Sequence, residues 1–229
     1  MSIMDEAALA HPGEIKPHMT AAAIHIVLGE TDKAVAAYEK AISVRKDAIE
    51  PRMALAGLYF SRAMPAKAVE ELNRALEIRP GDVEVLTALA SVHVLTKDFE
   101  KAEGIFKAII SSQPKGAKGY MMLAEFYLSQ SRAEEAVKTL QAGFEQSPDA
   151  YVLKNRLAEI LISEKKEGEA LTHIDEVLKK NPHEHYALYL KGMVLIKEKK
   201  IDEATKALGA SIQEEPNFAG SHYQMGLAH

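Results

Sequence analysis

Apolar residues along the chain recur with the spacing of an amphipathic helix, and the pattern breaks and restarts at short polar turns. Between Pro114 and Pro148, one apolar stretch ends at Ser129 and a second begins at Ala133. Apolar positions at i, i+3, i+4 and i+7 lie on one face of a helix, so the segment predicts two helices. The residues that define them are Met121, Met122, Leu123, Phe126, Tyr127 and Leu128 in the first helix and Ala136, Val137, Leu140 and Phe144 in the second.

This two-helix pattern repeats along the sequence with a period of 34 residues. A proline closes each unit, because proline lacks an amide hydrogen and clashes with a continuing helix. Self-similarity at one period over most of a chain indicates a repeat architecture. The proline column contains Pro12, Pro80, Pro114, Pro148, Pro182 and Pro216, and Lys46 is its one exception.

Two further columns contain only small residues, which predicts points where paired helices approach closely. A third column holds larger apolar residues that would fill the space around those contacts. Because one hairpin cannot bury both of its faces, successive hairpins are expected to stack. The columns are Ala34, Ala68, Ala102, Ala136, Ala170 and Ala204; then Ala22, Ala56, Ala90, Ala124, Ala158, Gly192 and Gly226; and, for the larger residues, Tyr38, Leu72, Phe106, Leu140, Ile174 and Leu208.

A 34-residue helix-turn-helix with these small, apolar and proline columns resembles the tetratricopeptide repeat (TPR). The resemblance covers nearly the whole chain and implies an all-α fold, a right-handed α-solenoid of hairpins whose first helices line a concave groove. Six units are predicted, at residues 15–48, 49–82, 83–116, 117–150, 151–184 and 185–218. The sequence departs from the family at its tryptophan column, which holds His18, Arg52, Leu86, Tyr120, Lys154 and Leu188.

Both ends of the pattern fall within a unit. Residues 1–14 match the end of an upstream second helix, and residues 219–229 match a first helix without its partner, so fourteen helices are predicted. Repeat arrays usually close with a helix whose outer face is polar, whereas Tyr223 to Ala228 are largely apolar. We therefore expect a piece of a longer array with open ends that allow self-association. The alternative is a natural chain whose last helix is its own cap.

Composition excludes several other classes of protein. A net charge of −5 argues against a nucleic-acid partner, since phosphate contacts require a basic surface. No stretch approaches the roughly 20 apolar residues of a membrane-spanning helix, and the acidic start is unlike a secretory signal. Because cysteine is absent, disulfides and thiolate metal sites are excluded. The compartment stays open between cytoplasm and periplasm.

No catalytic, cofactor or metal-binding motif is present. The sequence contains no P-loop, nucleophile elbow, zinc-binding HExxH or dinucleotide fingerprint. The segment His183-Glu184-His185 is the nearest approach to a metal motif, but it has no third ligand nearby and is interpreted as a solvated turn. We therefore predict a protein that is not an enzyme and needs no cofactor or metal.

The resemblance implies that two columns of the first helices point into the groove. Methionine and tyrosine on such a face favour adaptable recognition of an apolar or helical peptide segment. The alternative is that these residues pack adjacent first helices against each other. The family's carboxylate clamp is not expected, because the matching column has no asparagine: it reads Thr20, Ala54, Ala88, Met122, Arg156, Leu190 and Gln224. The predicted groove residues are Met19, Met53, Met121, Glu125, Asn155, Glu159, Tyr189 and Met193.

These observations favour a non-catalytic scaffold that binds a peptide or helical segment of a partner protein. The first alternative is a structural element that assembles through its open ends. The second is an array that selects substrates for a larger protein. The Ala- and Met-rich composition resembles bacterial arrays associated with envelope assembly or polysaccharide export, which implies a bacterial origin.

Overall fold

A computed structural model describes residues 13–228, which form thirteen α-helices and contain no strand. Of the fourteen predicted helices, the one assigned to the chain start lies outside the described residues. The helices are α1 (Lys16–Val27), α2 (Thr31–Val44), α3 (Glu50–Ser61), α4 (Pro65–Ile78), α5 (Val83–Leu95), α6 (Phe99–Ser112), α7 (Ala117–Ser129), α8 (Ala133–Gln146), α9 (Tyr151–Ser163), α10 (Glu167–Lys180), α11 (His185–Lys197), α12 (Ile201–Glu214) and α13 (Ala219–Ala228).

The chain divides after Ser112 into two compact units. In the first unit, helices α1 to α6 form three hairpins, and each hairpin packs against the next through its second helix. In the second unit, α7 to α12 form three more hairpins in the same way, and α13 packs against α12 and α11. The predicted fold class, an all-α solenoid of helical hairpins, is confirmed.

The small-residue columns lie at the helix contacts that they predict. Every alanine of the second-helix column is fully buried, from Ala34 to Ala204, and so are Ala22, Ala90, Ala124 and Ala158 of the first-helix column. In the last hairpin, a Cβ atom added to Gly192 would lie 2.5 Å from Leu208 Cγ. The two helices therefore approach each other closely where their side chains are smallest.

The helices end where local backbone chemistry stops them. A proline follows the last residue of α4, α6, α8, α10 and α12 by two positions. Inside each hairpin, the turn contains one residue with a left-handed backbone. The amide of the residue that follows it donates to the carbonyl five positions earlier. For example, the Met64 amide, after left-handed Ala63, donates to the Tyr59 carbonyl at 2.9 Å. The left-handed residues are Gly29, Ala63, Lys97, Ser131, Lys165 and Lys199, with φ between 56° and 73°.

Three polar residues in the family's tryptophan column pair with groups on the neighbouring second helix or turn. Arg52 Nη1 donates to Glu71 Oε2 at 2.9 Å, and both side chains are largely buried. Lys154 pairs with Glu176 and lies 3.9 Å from the centre of the Phe144 ring. Tyr120 Oη donates to the Pro114 carbonyl at 3.1 Å. These three departures from the family pattern are thus accommodated by ion pairs and a hydrogen bond within the same fold.

Candidate functional site

A cleft of about 560 Å³ opens along the first helices of the second unit, where α7, α9 and α11 lie side by side. We call it the main cleft. It brings together four of the predicted groove residues and five others. The lining residues are Met121, Glu125, Val152, Asn155, Arg156, Glu159, Glu184, His185 and Tyr186.

Helical spacing places these side chains on one face. Met121 and Glu125 are one turn apart on α7, and Asn155 and Glu159 occupy the same positions on α9. Because α9 packs against both α7 and α11, equivalent positions of successive repeats become neighbours. The cleft therefore depends on stacking, and no single hairpin contains it.

Arg156 connects two of the three glutamates of the main cleft. Its Nη2 donates to Glu125 Oε2 at 3.0 Å, and its Nη1 donates to Glu159 Oε2 at 2.7 Å. Its Nε lies 2.7 Å from Glu125 Oε1 but is not aligned for a hydrogen bond. Burial lowers the pKa of Arg156, but the hydrogen bonds to Glu159 and Glu125 outweigh this effect and raise it. Glu125 and Glu159 therefore share one internal cation.

Asn155 is buried at the floor of the cleft, with 4% of its surface exposed. Its Nδ2 donates to Glu184 Oε2 at 2.9 Å. Glu184 in turn caps α11, because the same oxygen accepts the Ala187 amide at 2.5 Å. No donor in the described part of the chain reaches Asn155 Oδ1. The Asn155 amide nitrogen therefore has a hydrogen-bond partner, whereas its buried oxygen accepts no hydrogen bond from the described residues.

Two tyrosines on α11 form an aromatic wall, with Tyr186 in the main cleft and Tyr189 in an adjoining one. Tyr186 Oη donates to Glu159, and burial together with this hydrogen bond raises the pKa of Tyr186 well above its usual range. The Tyr189 ring lies 5.4 Å from that of Tyr186 and 5.0 Å from that of Phe218. Burial also raises the pKa of Tyr189. Ring packing thus fixes the orientation of both side chains, and Tyr186 is also fixed by its hydrogen bond.

A second cleft of about 420 Å³ adjoins the main cleft and shares Arg156 and Glu159 with it. It contains the two remaining predicted residues of this unit, Tyr189 and Met193. Its charges differ from those of the main cleft, because Lys165 and Lys197 also lie on its border. The apolar part of its lining is Ile162, Tyr189, Leu190 and Met193.

The two predicted residues of the first unit do not join this site. Met53 lines a separate, smaller cleft of about 220 Å³ together with Gly57 and Phe60. Met19 is half-buried and packs against a core cluster that includes Tyr38 and Leu55. The position of the Met19 side chain is therefore explained by packing between helices.

Sequence reasoning missed five residues of the main cleft: Val152, Arg156, Glu184, His185 and Tyr186. Arg156 directly follows Asn155 and belongs to the column that matches the family's carboxylate clamp. The interpretation of His183-Glu184-His185 as a solvated turn is wrong for Glu184, which is half-buried, caps α11 and binds Asn155. The signal for this role was the position of Glu184 immediately before the first residue of α11, where a side chain can cap the helix.

The rest of the described chain, residues 13–228, offers neither a metal site nor a membrane-spanning helix. No three histidine, aspartate or glutamate side chains in this range are grouped closely enough to hold a metal ion. Over the same range, each helix is too short or too polar to span a bilayer.

Comparison with known proteins places these features in a family. A model of the tetratricopeptide repeat-like domain matches residues 96–227, which is more than half of the chain. A tetratricopeptide repeat model matches residues 26–92 and 60–126. No curated protein matches the sequence significantly.

Solved structures share the fold at low identity. YrrB, a TPR protein with an unusual peptide-binding site, is 20% identical, with a TM-score of 0.50 over 82% of this chain and 97% of its own. A TPR protein from Parabacteroides merdae is 17% identical, with a TM-score of 0.53 over 98% and 89%. A chain of the Naa15/Naa10 complex bound to HypK-THB is 17% identical, with a TM-score of 0.54 over 98% of this chain and 35% of its own. With the family models matching in sequence and these structures in fold, this chain belongs to the tetratricopeptide repeat family.

Proposed function

We propose that the chain is a non-catalytic scaffold that binds a segment of a partner protein along α7, α9 and α11. The observation that supports this proposal is the pair of adjoining clefts, which share Arg156 and Glu159 and together follow three successive first helices. An elongated ligand fits such a surface better than a compact one does. The family's members commonly serve as protein-binding scaffolds, and YrrB is a relative in fold that has a peptide-binding site.

The chemistry of the two clefts suits a peptide. Met121 and Met193 are half-buried and can repack around apolar side chains of different shapes. Asn155 supplies an unused acceptor, and the aromatic wall supplies a rigid apolar surface. Binding energy usually concentrates in a few such central contacts.

We expect Val152→Trp to weaken the binding of peptides that occupy the main cleft, which we call groove-directed peptides. The loss should be at least about ten-fold, which corresponds to roughly 1.4 kcal/mol. Val152 is 51% exposed at the mouth of the main cleft, so a larger side chain would obstruct the cleft without disturbing the core. Peptides are selected from a random twelve-residue display library on the purified chain, and their affinities are then measured by calorimetry. The melting temperature of the variant should stay close to that of the parent.

Lys138→Trp is the matched control, because Lys138 is exposed on the second helix α8. The competing hypothesis is that binding uses the charged outer face, for instance Lys101, Glu134 and Lys138. If Lys138→Trp abolishes binding while Val152→Trp has no effect, the groove assignment is wrong. Tyr189→Ala is a poorer probe, because Tyr189 packs against Tyr186 and Phe218 and its loss would also destabilise the fold.

Self-association is a second candidate function, favoured by one observation on α13. Tyr223 is 67% exposed and Leu227 is 57% exposed, and the two lie one turn apart on the same helix face. Exposed apolar patches commonly mark contact surfaces, and a second copy of the chain is the proposed occupant. We expect the mass measured by sedimentation velocity to rise with concentration, and Tyr223→Ser with Leu227→Gln to remove that rise. A parent chain that stays monomeric at high concentration would exclude this function.

A further inference from the structure

The main cleft contains an acceptor that the protein itself does not use. Asn155 is 4% exposed, and no protein group donates to its Oδ1 in residues 13–228. The orientation of the amide is determined by its surroundings, since only Nδ2 can donate to the Glu184 carboxylate. The oxygen therefore faces a site that can be completed only by a donor from outside the chain.

The charges around this acceptor are unbalanced. Glu125, Glu159 and Glu184 line the main cleft, and Arg156 is the one lysine or arginine among its lining residues, so three carboxylates and one guanidinium leave a formal charge of −2. Arg156 is already engaged by Glu125 and Glu159. Glu184 has no ion-pair partner among the described residues, and its known contacts are with neutral amide groups. A cation is the charge that this end of the cleft lacks.

We infer that the main cleft binds an arginine side chain of the partner segment, an inference that rests on the proposed function. The guanidinium offers five donors in a planar fork, which can serve Asn155 Oδ1 and the Glu184 carboxylate at the same time. The Tyr186 ring lines the same cleft and presents an aromatic surface on which a guanidinium can stack. A lysine ammonium would supply the charge but not the planar geometry.

The resident arginine does not oppose this arrangement. Arg156 lies between Glu125 and Glu159, which neutralise it from both sides. The second cation is expected to approach Glu184, at the N-terminal cap of the neighbouring helix α11. The basic side chains Lys165 and Lys197 border the second cleft and are not among the residues that line the main one. The incoming guanidinium therefore meets uncompensated negative charge.

The test uses the peptides selected from the random library on the complete chain. We expect the peptides that no longer bind to the Val152→Trp variant to contain a required arginine. Replacing that arginine by citrulline, which has the same shape without the charge, should weaken binding roughly 10- to 100-fold. Lysine at that position should restore only part of the loss. Glu184→Gln in the protein should remove most of the difference between the arginine and citrulline peptides, whereas Glu169→Gln, at an exposed position on α10, should not.

A second measurement needs no selected peptide and does not depend on a variant. Titration with acetyl-arginine amide should shift the side-chain amide resonances of Asn155 in a saturable way, and acetyl-citrulline amide should not. If groove-directed peptides bind equally well with citrulline and neither amide shifts Asn155, the inference is wrong while the proposed function stands. If Val152→Trp excludes no peptide, the proposed function fails and the inference fails with it.

Discussion

Glu71→Ala is expected to lower the free energy of unfolding by about 3 kcal/mol, the loss typical when one partner of a buried ion pair is removed. Glu71 is 6% exposed, and its Oε2 accepts a hydrogen bond from Arg52 Nη1 at 2.9 Å. Arg52 Nε already has no partner. Without Glu71, a guanidinium that is largely shielded from water would lose its carboxylate, and burying an unpaired charge is costly.

Glu70→Ala is the matched control on the adjacent position. Glu70 is exposed and pairs at 2.6 Å with Arg74, which also donates to Glu71 at 2.5 Å. Surface pairs such as that of Glu70 contribute less than about 1 kcal/mol. The double variant Arg52→Leu with Glu71→Ile copies the residues that the next hairpin has at these positions, Leu86 and Ile105, and should recover most of the stability. Urea unfolding followed by circular dichroism measures all three. Equal losses for Glu71→Ala and Glu70→Ala would show that burial of the pair has no energetic consequence.

Gly143→Ala is expected to destabilise the protein by about 1–3 kcal/mol, although alanine is normally the better helix former. A Cβ atom at residue 143 would lie 2.5 Å from Tyr120 Cγ and 2.9 Å from Leu153 Cδ1. Tyr120 is itself buried and hydrogen-bonded to the Pro114 carbonyl, so its ring has little freedom to move away. The close approach of the Tyr120 ring therefore requires glycine here.

Gly104→Ala should have the opposite sign. Gly104 also lies inside a helix, but a Cβ atom there would meet nothing within 4 Å, so the substitution should stabilise α6 by about 0.5–1 kcal/mol. Tyr120→Leu, which restores the residue type of Leu86 in the preceding hairpin, should rescue Gly143→Ala. Thermal unfolding compares the variants. If Gly143→Ala raises the melting temperature as Gly104→Ala does, the close approach of Tyr120 is not a constraint.

The candidate site was partly visible in the sequence. The repeat period placed Met121, Glu125, Asn155 and Glu159 in equivalent positions of neighbouring helices, and these four line one cleft. Arg156, by contrast, donates to both of these glutamates, and the sequence pattern did not predict this. That pairing joins residues 31 positions apart, Arg156 and Glu125, so it depends on how adjacent hairpins stack. Asn155 was predicted as a groove residue. That its oxygen accepts no hydrogen bond could not be predicted, because the amide is oriented by Glu184, which caps a different helix.

The hairpin repeat is legible in the chain itself, because helical periodicity, small contact residues and helix-ending prolines act over a few residues and recur every 34 positions. The backbone conformation of the turns, in contrast, could not be predicted from such local patterns. One left-handed residue recurs in every hairpin, yet its side chain changes from Gly29 to Ala63 and Lys97, so composition did not reveal it. Geometry imposed by the packed helices holds these residues in a conformation that costs about 1–2 kcal/mol for a non-glycine side chain. The same packing selects which charges pair and which acceptor stays open, since those contacts form only when separate hairpins meet.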